Sequence, residues 1–241
     1  MAQDTLLTGK INAPCSTYAP ARHLYHSNGS LKFEPIVHLS TAQLIGYHVL
    51  TQRPPGHDSE AFFQQLSPEA LYNHVFQQID ALRFFPQNIR YFLNLPVKVL
   101  INDDALLLKL CSSSSNITIK LQDPDIFYTL STRQLSRLYK RIQQLEASGL
   151  PLWLDDFDEK MFATFSNKNW RLCGIKFDKK TFWHLVSELQ KLRQAIFIGH
   201  KIATDVLMEG IETTEQRGIA FYAGATMEKD YLWPALLPDI Y

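Results

Sequence analysis

The sequence predicts an α/β fold whose parallel strands close into a barrel. Apolar, strand-like runs alternate with amphipathic helices along most of the chain, and strands joined in this way pair in parallel through right-handed crossovers. Seven or eight such strands fall within roughly 210 residues, which favours a closed barrel over an open sheet. Several of these strands end in a polar or charged residue, which is typical of a barrel that gathers a site at one rim.

The first third of the chain is predicted to form a strand pair, a helix and a third strand. The runs LKFEPIVHL (31–39) and QLIGYHVLT (43–51) give two strands joined by a tight Ser-Thr-Ala turn. Ser67 is a good helix N-cap, and Pro68 suits the first helical position. The run YFLNLPV (91–97) gives the next strand.

The middle of the chain continues the alternation. Residues 103–111 are predicted to form a short helix, and the β-branched run 117–121 a strand. Ser131 and the glutamine three residues later form a capping box, which starts a helix with regular apolar spacing. Gly149 follows this helix at the position that often ends a helix in a left-handed conformation.

The last third is predicted to hold three strands and two helices. The strands are PLWLDDF (151–157), GIKFD (174–178) and KIATDVLM (201–208). Apolar residues at helical spacing predict one continuous helix across 182–192. Thr213 begins a second capping box and therefore the last helix.

Composition and charge exclude several functional classes. The 24 basic residues equal the 24 acidic ones, whereas a protein that binds nucleic acid directly usually has a basic surplus. Cys15, Cys111 and Cys173 are odd in number and widely spaced, which argues against a disulfide framework. No apolar run approaches the roughly 20 residues of a membrane span, and the N-terminus lacks a signal-peptide pattern. We therefore expect a cytoplasmic protein.

The domain organisation is expected to be simple. Residues 1–30 are polar and interrupted by Pro14, Pro20 and Gly29, so we interpret them as a leader or capping segment. The remaining residues, 31–241, are interpreted as one domain.

The polar residues at the strand ends are the candidate functional residues. Adjacent carboxylates such as Asp155 and Asp156 suit hard divalent cations, and an amide oxygen such as that of Asn94 can complete the shell. Glu209 and Glu212 are candidate ligands or general bases. A simpler explanation for Asp156 and Glu212 is that they favour the N-terminal dipole of a helix. His48, Lys120, Lys176 and Asp178 complete the set.

These motifs together resemble the EAL domain, the bacterial cyclic di-GMP phosphodiesterase family. The resemblance covers about residues 31–234 and is specific because five motifs occur in the family's order: FEPIVHLSTAQLIGYHVLTQ, YFLNLP, WLDDFD, GIKFD and MEGIETTEQ. It implies a modified (β/α)₈ TIM-like barrel with one antiparallel strand. It also implies a site for two divalent metals that open one phosphodiester of the dinucleotide.

The chain departs from the family pattern at several site positions. The glutamate of the signature Glu-Ala-Leu is His48, and the metal-binding glutamate of the Glu-x-x-Glu strand is Lys120. The loop glutamate of that motif is Asp123, and the family's Gln-Gly-Tyr is Lys229-Asp230-Tyr231. Other family positions are retained, namely Asn94, Asp155, Asp156, Lys176, Glu209 and Glu212.

The departures predict that the metal site is lost. Two divalent cations need several anionic oxygens, whereas an ammonium group at position 120 removes one oxygen and repels the ion. At contact distance such a repulsion is on the order of several kcal/mol. We expect Lys120 to pair with Asp155, no magnesium or manganese cofactor, and no catalytic residue in use.

The function expected from this resemblance is a non-catalytic regulator that binds another protein. Some degenerate, stand-alone EAL proteins bind the flagellar master transcription regulator, so we expect a flagellar or other transcription regulator as partner and a role in motility or biofilm control. Trp233, Leu236 and Leu237 are candidate contact residues, although a tail that closes the barrel is the simpler and preferred explanation for them.

Two alternatives stay open at the sequence level. In the first, the chain is a metal-independent cyclic di-GMP receptor, with ligand-binding residues drawn from Gln52, Arg53, Asn94, Lys120, Asp155, Lys176, Glu209 and Lys229. The arginine that the family places after its signature is Gln52 here, with Arg53 adjacent, which weakens this hypothesis. In the second alternative, the retained carboxylates support a residual phosphodiesterase activity.

Overall fold

The structure, a computed structural model, describes most of the chain. The described residues are 30–52, 62–63, 65–102, 104–113, 116–158, 161 and 172–229. The predicted leader (1–30, except Ser30) and the candidate contact residues Trp233, Leu236 and Leu237 lie outside them. The proposed domain boundary at residue 30 therefore stays a prediction. None of the described helices is both long and apolar enough to span a bilayer.

Eight strands close into a barrel in chain order. The first strand, β1, pairs antiparallel with both β2 and β8, and every other neighbouring pair is parallel. This confirms the predicted barrel with one antiparallel strand. The strands are β1 Ser30–His38, β2 Leu44–Gln52, β3 Arg90–Pro96, β4 Ile117–Gln122, β5 Leu152–Phe157, β6 Leu172–Phe177, β7 Ala203–Glu209 and β8 Met227–Lys229.

Helices pack around the outside of the barrel. The helices are α1 Pro68–Leu82, α2 Val97–Asn102, α3 Asp104–Cys111, α4 Thr132–Ala147, α5 Lys179–Leu185, α6 Leu189–Gly199 and α7 Thr214–Ala223, with a short 3₁₀ helix at Pro124–Tyr128.

The predicted helix starts are confirmed by their caps. The Ser67 side chain accepts a hydrogen bond from Ala70 N–H, and Pro68 occupies the first turn of α1. Complete capping boxes begin α4 at Ser131 and α7 at Thr213. Each cap satisfies backbone N–H groups that have no partner within the helix.

Three elements differ from the sequence predictions. The predicted continuous helix 182–192 is two helices, α5 and α6, because the backbone leaves the helical region at Glu188 (φ −119°, ψ 68°). Leu189, one of the apolar residues that predicted this helix, is 39% exposed. The strand predicted to reach Val97 ends at Pro96, and Val97 begins the unpredicted helix α2. The 3₁₀ helix after β4 was also not predicted.

The barrel interior below the rim holds a layer of apolar side chains. This layer is fully or nearly fully buried and consists of Ile36, Phe92, Trp153, Leu207 and Met227. Trp153 lies over Gly174 so closely that a Cβ at residue 174 would be 2.2 Å from its ring. A larger apolar core lies between the barrel and the helices. Both cores hold the strand ends above them in fixed positions.

Candidate functional site

Polar side chains from all eight strands meet at the rim above this apolar layer. Six strands, β3 to β8, reach it with their C-terminal halves, whereas the antiparallel pair β1 and β2 reaches it from the middle of each strand, at the cross-strand pair Glu34 and His48. We call these residues the rim network: Glu34, His48, Asn94, Lys120, Asp155, Asp156, Lys176, Glu209 and Lys229. The structure thus joins seven of the nine candidates, all except Asp178 and Glu212, together with Glu34 and Lys229.

A buried ion pair lies at the centre of the rim network. Lys120 Nζ is 3.0 Å from Asp155 Oδ1, and these two side chains are 1% and 2% exposed. Lys176 Nζ is also 3.0 Å from the same oxygen. Both contacts are ion pairs, because neither ammonium group reaches Asp155 Oδ1 with the geometry of a hydrogen bond. The pairing of Lys120 with Asp155 expected from the sequence is confirmed.

Lys176 connects three carboxylates. Its Nζ lies 3.0 Å from Asp156 Oδ1 and donates a 2.8 Å hydrogen bond to Glu209 Oε2, in addition to its contact with Asp155. Adjacent residues of a regular strand point to opposite faces. Asp156 instead has a positive φ of 48°, and the β5–β6 register shifts between Leu154 and Phe157. This turn brings both aspartates to one ammonium group.

Lys229 closes the network on the side of β1. Its Nζ lies 2.9 Å from Glu209 Oε1 and 2.9 Å from Glu34 Oε2. It also lies 3.1 Å from Nδ1 of His48, which is the cross-strand neighbour of Glu34. Lys229 therefore links the last strand of the barrel to β1, β2 and β7.

His48 is held as a neutral imidazole. Burial lowers its pKa well below the usual value, and the ammonium groups of Lys120 and Lys229 lower the pKa further. Its Nε2 is 2.8 Å from Asn94 Oδ1, so we assign the proton to Nε2, which donates to the amide oxygen. Nδ1 then accepts from Lys229. His48 thus contributes no charge to the site.

The ion pairs outweigh burial for most charged groups of the network. Burial would raise the pKa of Asp155, but Lys120 and Lys176 hold it well below its usual range. Burial would likewise raise the pKa of Glu209, which Lys229 and Lys176 lower. For Lys176, burial opposes the charged form, but Asp155 and Glu209 raise the pKa well above its usual value. Each of these groups is charged because its partners are charged.

Lys120 is the exception among the lysines. Burial lowers its pKa to about 8 because Asp155 only partly offsets the loss of water and the repulsion from Lys176. It is still mostly protonated at neutral pH. The internal cation that the sequence predicted is therefore present, although its charged form is less favoured than that of Lys176.

The charges of the rim network nearly cancel. Three ammonium groups face four carboxylates, and the remaining negative charge lies beside Lys32, whose Nζ donates to Glu34 Oε1 at 2.7 Å. Two divalent cations would add four positive charges to this set. The residues of β2 and β4 do not fit such a site, because His48 is neutral and Lys120 is cationic.

Carboxylates remain clustered on the other side of the rim. Oxygens of Asp156, Asp178 and Glu209 lie within 4.8 Å of one another, which is close enough to share a cation. Two of the three, Asp156 and Glu209, already contact Lys176. Asp178 caps α5 by accepting from Lys180 N–H. Their negative charge is thus partly neutralised by the protein itself.

Some predicted site residues lie elsewhere. The exposed Glu212 makes no ion pair with any described residue, and its backbone N–H donates to Gln216 Oε1 at the start of α7. This matches the simpler interpretation of Glu212 as a helix-entry residue. Gln52 ends β2, and Arg53 lies outside the described residues. Sequence reasoning overlooked Glu34, although its alternation with Ile36 on β1 places both on the inner face.

The chain is similar to EAL domain proteins in both sequence and fold. The EAL domain family matches residues 21–227. The EAL domain protein of Listeria monocytogenes EGD-e superposes with a TM-score of 0.66 at 16% identity, covering 86% of this chain and 88% of that chain. A comparison with curated protein sequences gave no match.

Two longer proteins with known ligands are also similar. BlrP1 of Klebsiella pneumoniae, solved with manganese and cyclic di-GMP, has a TM-score of 0.73 at 16% identity over 93% of this chain and 60% of its own. The EAL enzyme Bd1971, solved with cAMP and cyclic di-GMP, has a TM-score of 0.63 at 18% identity over 84% and 60%. The present chain thus spans about 60% of the length of each.

Proposed function

The chain belongs to the EAL domain family of cyclic di-GMP signalling proteins, and we propose that it is a non-catalytic member that acts by binding another protein. The single observation that carries this proposal is the buried contact of Lys120 with Asp155, at 3.0 Å. An ammonium group here lies within contact distance of the carboxylate that the family resemblance assigns to the metals.

Electrostatic repulsion at the rim opposes catalysis. A metal at this position would meet Lys120 at close range, and near contact such a repulsion is on the order of several kcal/mol. Moving Lys120 aside would not remove this repulsion. Its ammonium group is buried, and Lys176 would still contact Asp155. A protein without its metals has no activated water with which to attack a phosphodiester.

The receptor alternative is weakened by the same contacts. Lys120, Lys176 and Lys229 are the cations that would hold phosphates, and each of them lies within 3.0 Å of at least one carboxylate. A phosphate ligand would have to break these pairs and leave buried carboxylates uncompensated, which is costly. We therefore propose that the rim network stabilises the barrel and does not bind the dinucleotide.

If the rim neither catalyses a reaction nor binds the dinucleotide, the barrel acts through its outer surface. The partner class suggested by the sequence resemblance is a transcription regulator, such as one that controls motility genes. This part of the proposal depends on the resemblance alone, and it concerns which protein binds rather than whether the rim is inactive.

The experiment is a pair of assays on the purified full chain. Incubation with cyclic di-GMP in Mg²⁺ or Mn²⁺, followed by chromatography, is expected to give no linear product above the protein-free blank. Calorimetry with the same dinucleotide is expected to give no saturable heat. Sustained turnover would refute the proposal, and saturable binding without metal would favour the receptor alternative.

A further inference from the structure

The outer surface of α6 and α7 carries three exposed aromatic side chains. Phe197 is 60% exposed, Phe221 46% and Tyr222 75%. We call these three residues the aromatic patch. A single exposed aromatic residue needs no explanation, but a cluster of them on a soluble domain is typical of an interaction site.

The C-terminal ends of the two helices that carry the patch contact each other directly. The ring of His200, at the end of α6, contacts the Gly224 carbonyl oxygen at 3.0 Å through Nε2. Ile196 Cγ2 lies 3.5 Å from the point that a Cβ at Gly224 would occupy. Phe197 follows Ile196, and Tyr222 lies two residues before Gly224 with its ring 5.6 Å from that of Phe221.

Two exposed cations flank Phe197. Arg193 and Lys201 lie four residues before and after it, and both are exposed. Lys201 Nζ lies 4.4 Å above the Phe197 ring, in the geometry of a cation–π contact. Neither cation forms an ion pair within the described part of the chain. The patch therefore combines apolar rings with two cations that no described carboxylate pairs.

We propose that the aromatic patch is the docking surface for an acidic, amphipathic segment of a partner protein. The inference rests on the proposed function, because it names the surface through which this chain would bind its partner. A second copy of the chain is a poor occupant, since a symmetric contact would bring like charges together. Two cations also provide few phosphate contacts, which disfavours nucleic acid.

The test uses the full chain and three labelled probes: an amphipathic helical peptide of leucine, alanine and glutamate, the same peptide with lysine for glutamate, and a duplex DNA. Fluorescence anisotropy is expected to show saturable binding of the acidic peptide alone. Phe197→Ala/Tyr222→Ala and Arg193→Glu/Lys201→Glu should each weaken it at least tenfold. The matched control, Phe84→Ala/Leu108→Ala, alters side chains 77% and 71% exposed outside the patch and should leave binding unchanged.

Three results would overturn the docking proposal: no binding of the acidic peptide, equal losses in the patch and control variants, or equally tight binding of the lysine peptide or the DNA. Circular dichroism checks that each variant is folded. If Phe197→Ala/Tyr222→Ala does not fold, Arg193→Glu/Lys201→Glu still tests the proposal. The proposed function fails separately, since only turnover or binding of cyclic di-GMP would refute it.

Discussion

The two sides of the rim differ in the charge that each strand provides. The side built by β2, β3 and β4 carries a neutral imidazole, an amide and an ammonium group, from His48, Asn94 and Lys120. The side built by β5, β6 and β7 carries carboxylates gathered around Lys176. The protein's own cation already contacts the retained carboxylates, so we expect that these carboxylates alone do not make a metal site.

Asp155 connects the two sides, so its loss should have the largest effect. Asp155→Asn leaves the buried Lys120 without its carboxylate, and breaking a buried pair in this way costs about 3–5 kcal/mol of unfolding free energy. Urea denaturation measures the change. Asp156→Asn is the matched control, because its side chain is 49% exposed, and it should cost less than about 1 kcal/mol. Equal losses would mean that Asp155 does not connect the two sides.

Acid should weaken the carboxylate side. The pKa values of Asp155 and Glu209 are lower in the folded protein than in the unfolded chain. Their contribution is therefore complete above the unfolded carboxyl pKa of about 4 and is lost as the pH falls below it, on the order of 2 kcal/mol per group. Denaturation at pH 6, 4 and 3 measures the loss.

The Asp155→Asn protein isolates this acid effect. In the wild-type chain, burial and the Asp155 charge raise the pKa of Asp156, so protonation of Asp156 favours the folded state as the pH falls and partly masks the acid effect of Asp155 and Glu209. The stability difference between wild type and Asp155→Asn should therefore shrink as the pH falls. A difference that stays constant from pH 6 to pH 3 would contradict the assigned ion pairs.

His48 reports on the cations around it. Lys229→Gln removes one of the ammonium groups that disfavour the imidazolium form, so the pKa of His48 should rise. Histidine ring shifts followed by NMR across a pH titration measure this change. Lys32→Gln is the control, because Lys32 contacts Glu34 from the outer side of the network. An unchanged His48 pKa in Lys229→Gln would show that the Lys229 ammonium group does not lower the pKa of His48.

The smallest effect is expected outside the network. Glu212→Gln should change the unfolding free energy by less than about 0.5 kcal/mol, because the Glu212 carboxylate makes no described ion pair and only its backbone N–H is used. Thermal denaturation measures this. A loss comparable to that of Asp155→Asn would place Glu212 inside the rim network.

Much of the fold and of the site was predictable from local sequence. A helix cap such as Ser131 acts only on the next turn of the chain, so local sequence shows it. Parallel strands bring residues such as Asn94 and Lys120 to one edge of the barrel, where the two are register partners. Glu34 was missed because β1 runs in the opposite direction, so its rim residue does not lie at its C-terminal end. The break at Glu188 was missed because the apolar spacing continues through it.

The central claim, that a protein cation has replaced a catalytic metal, is tested most directly by titrating the purified wild-type chain with Mn²⁺ in a calorimeter. His48→Glu/Lys120→Glu, which returns carboxylates to β2 and β4, is the matched variant. We predict that the wild-type chain lacks the two tight sites, and that the variant binds Mn²⁺ at least tenfold more tightly. Two tightly bound ions in the wild-type chain would contradict the claim.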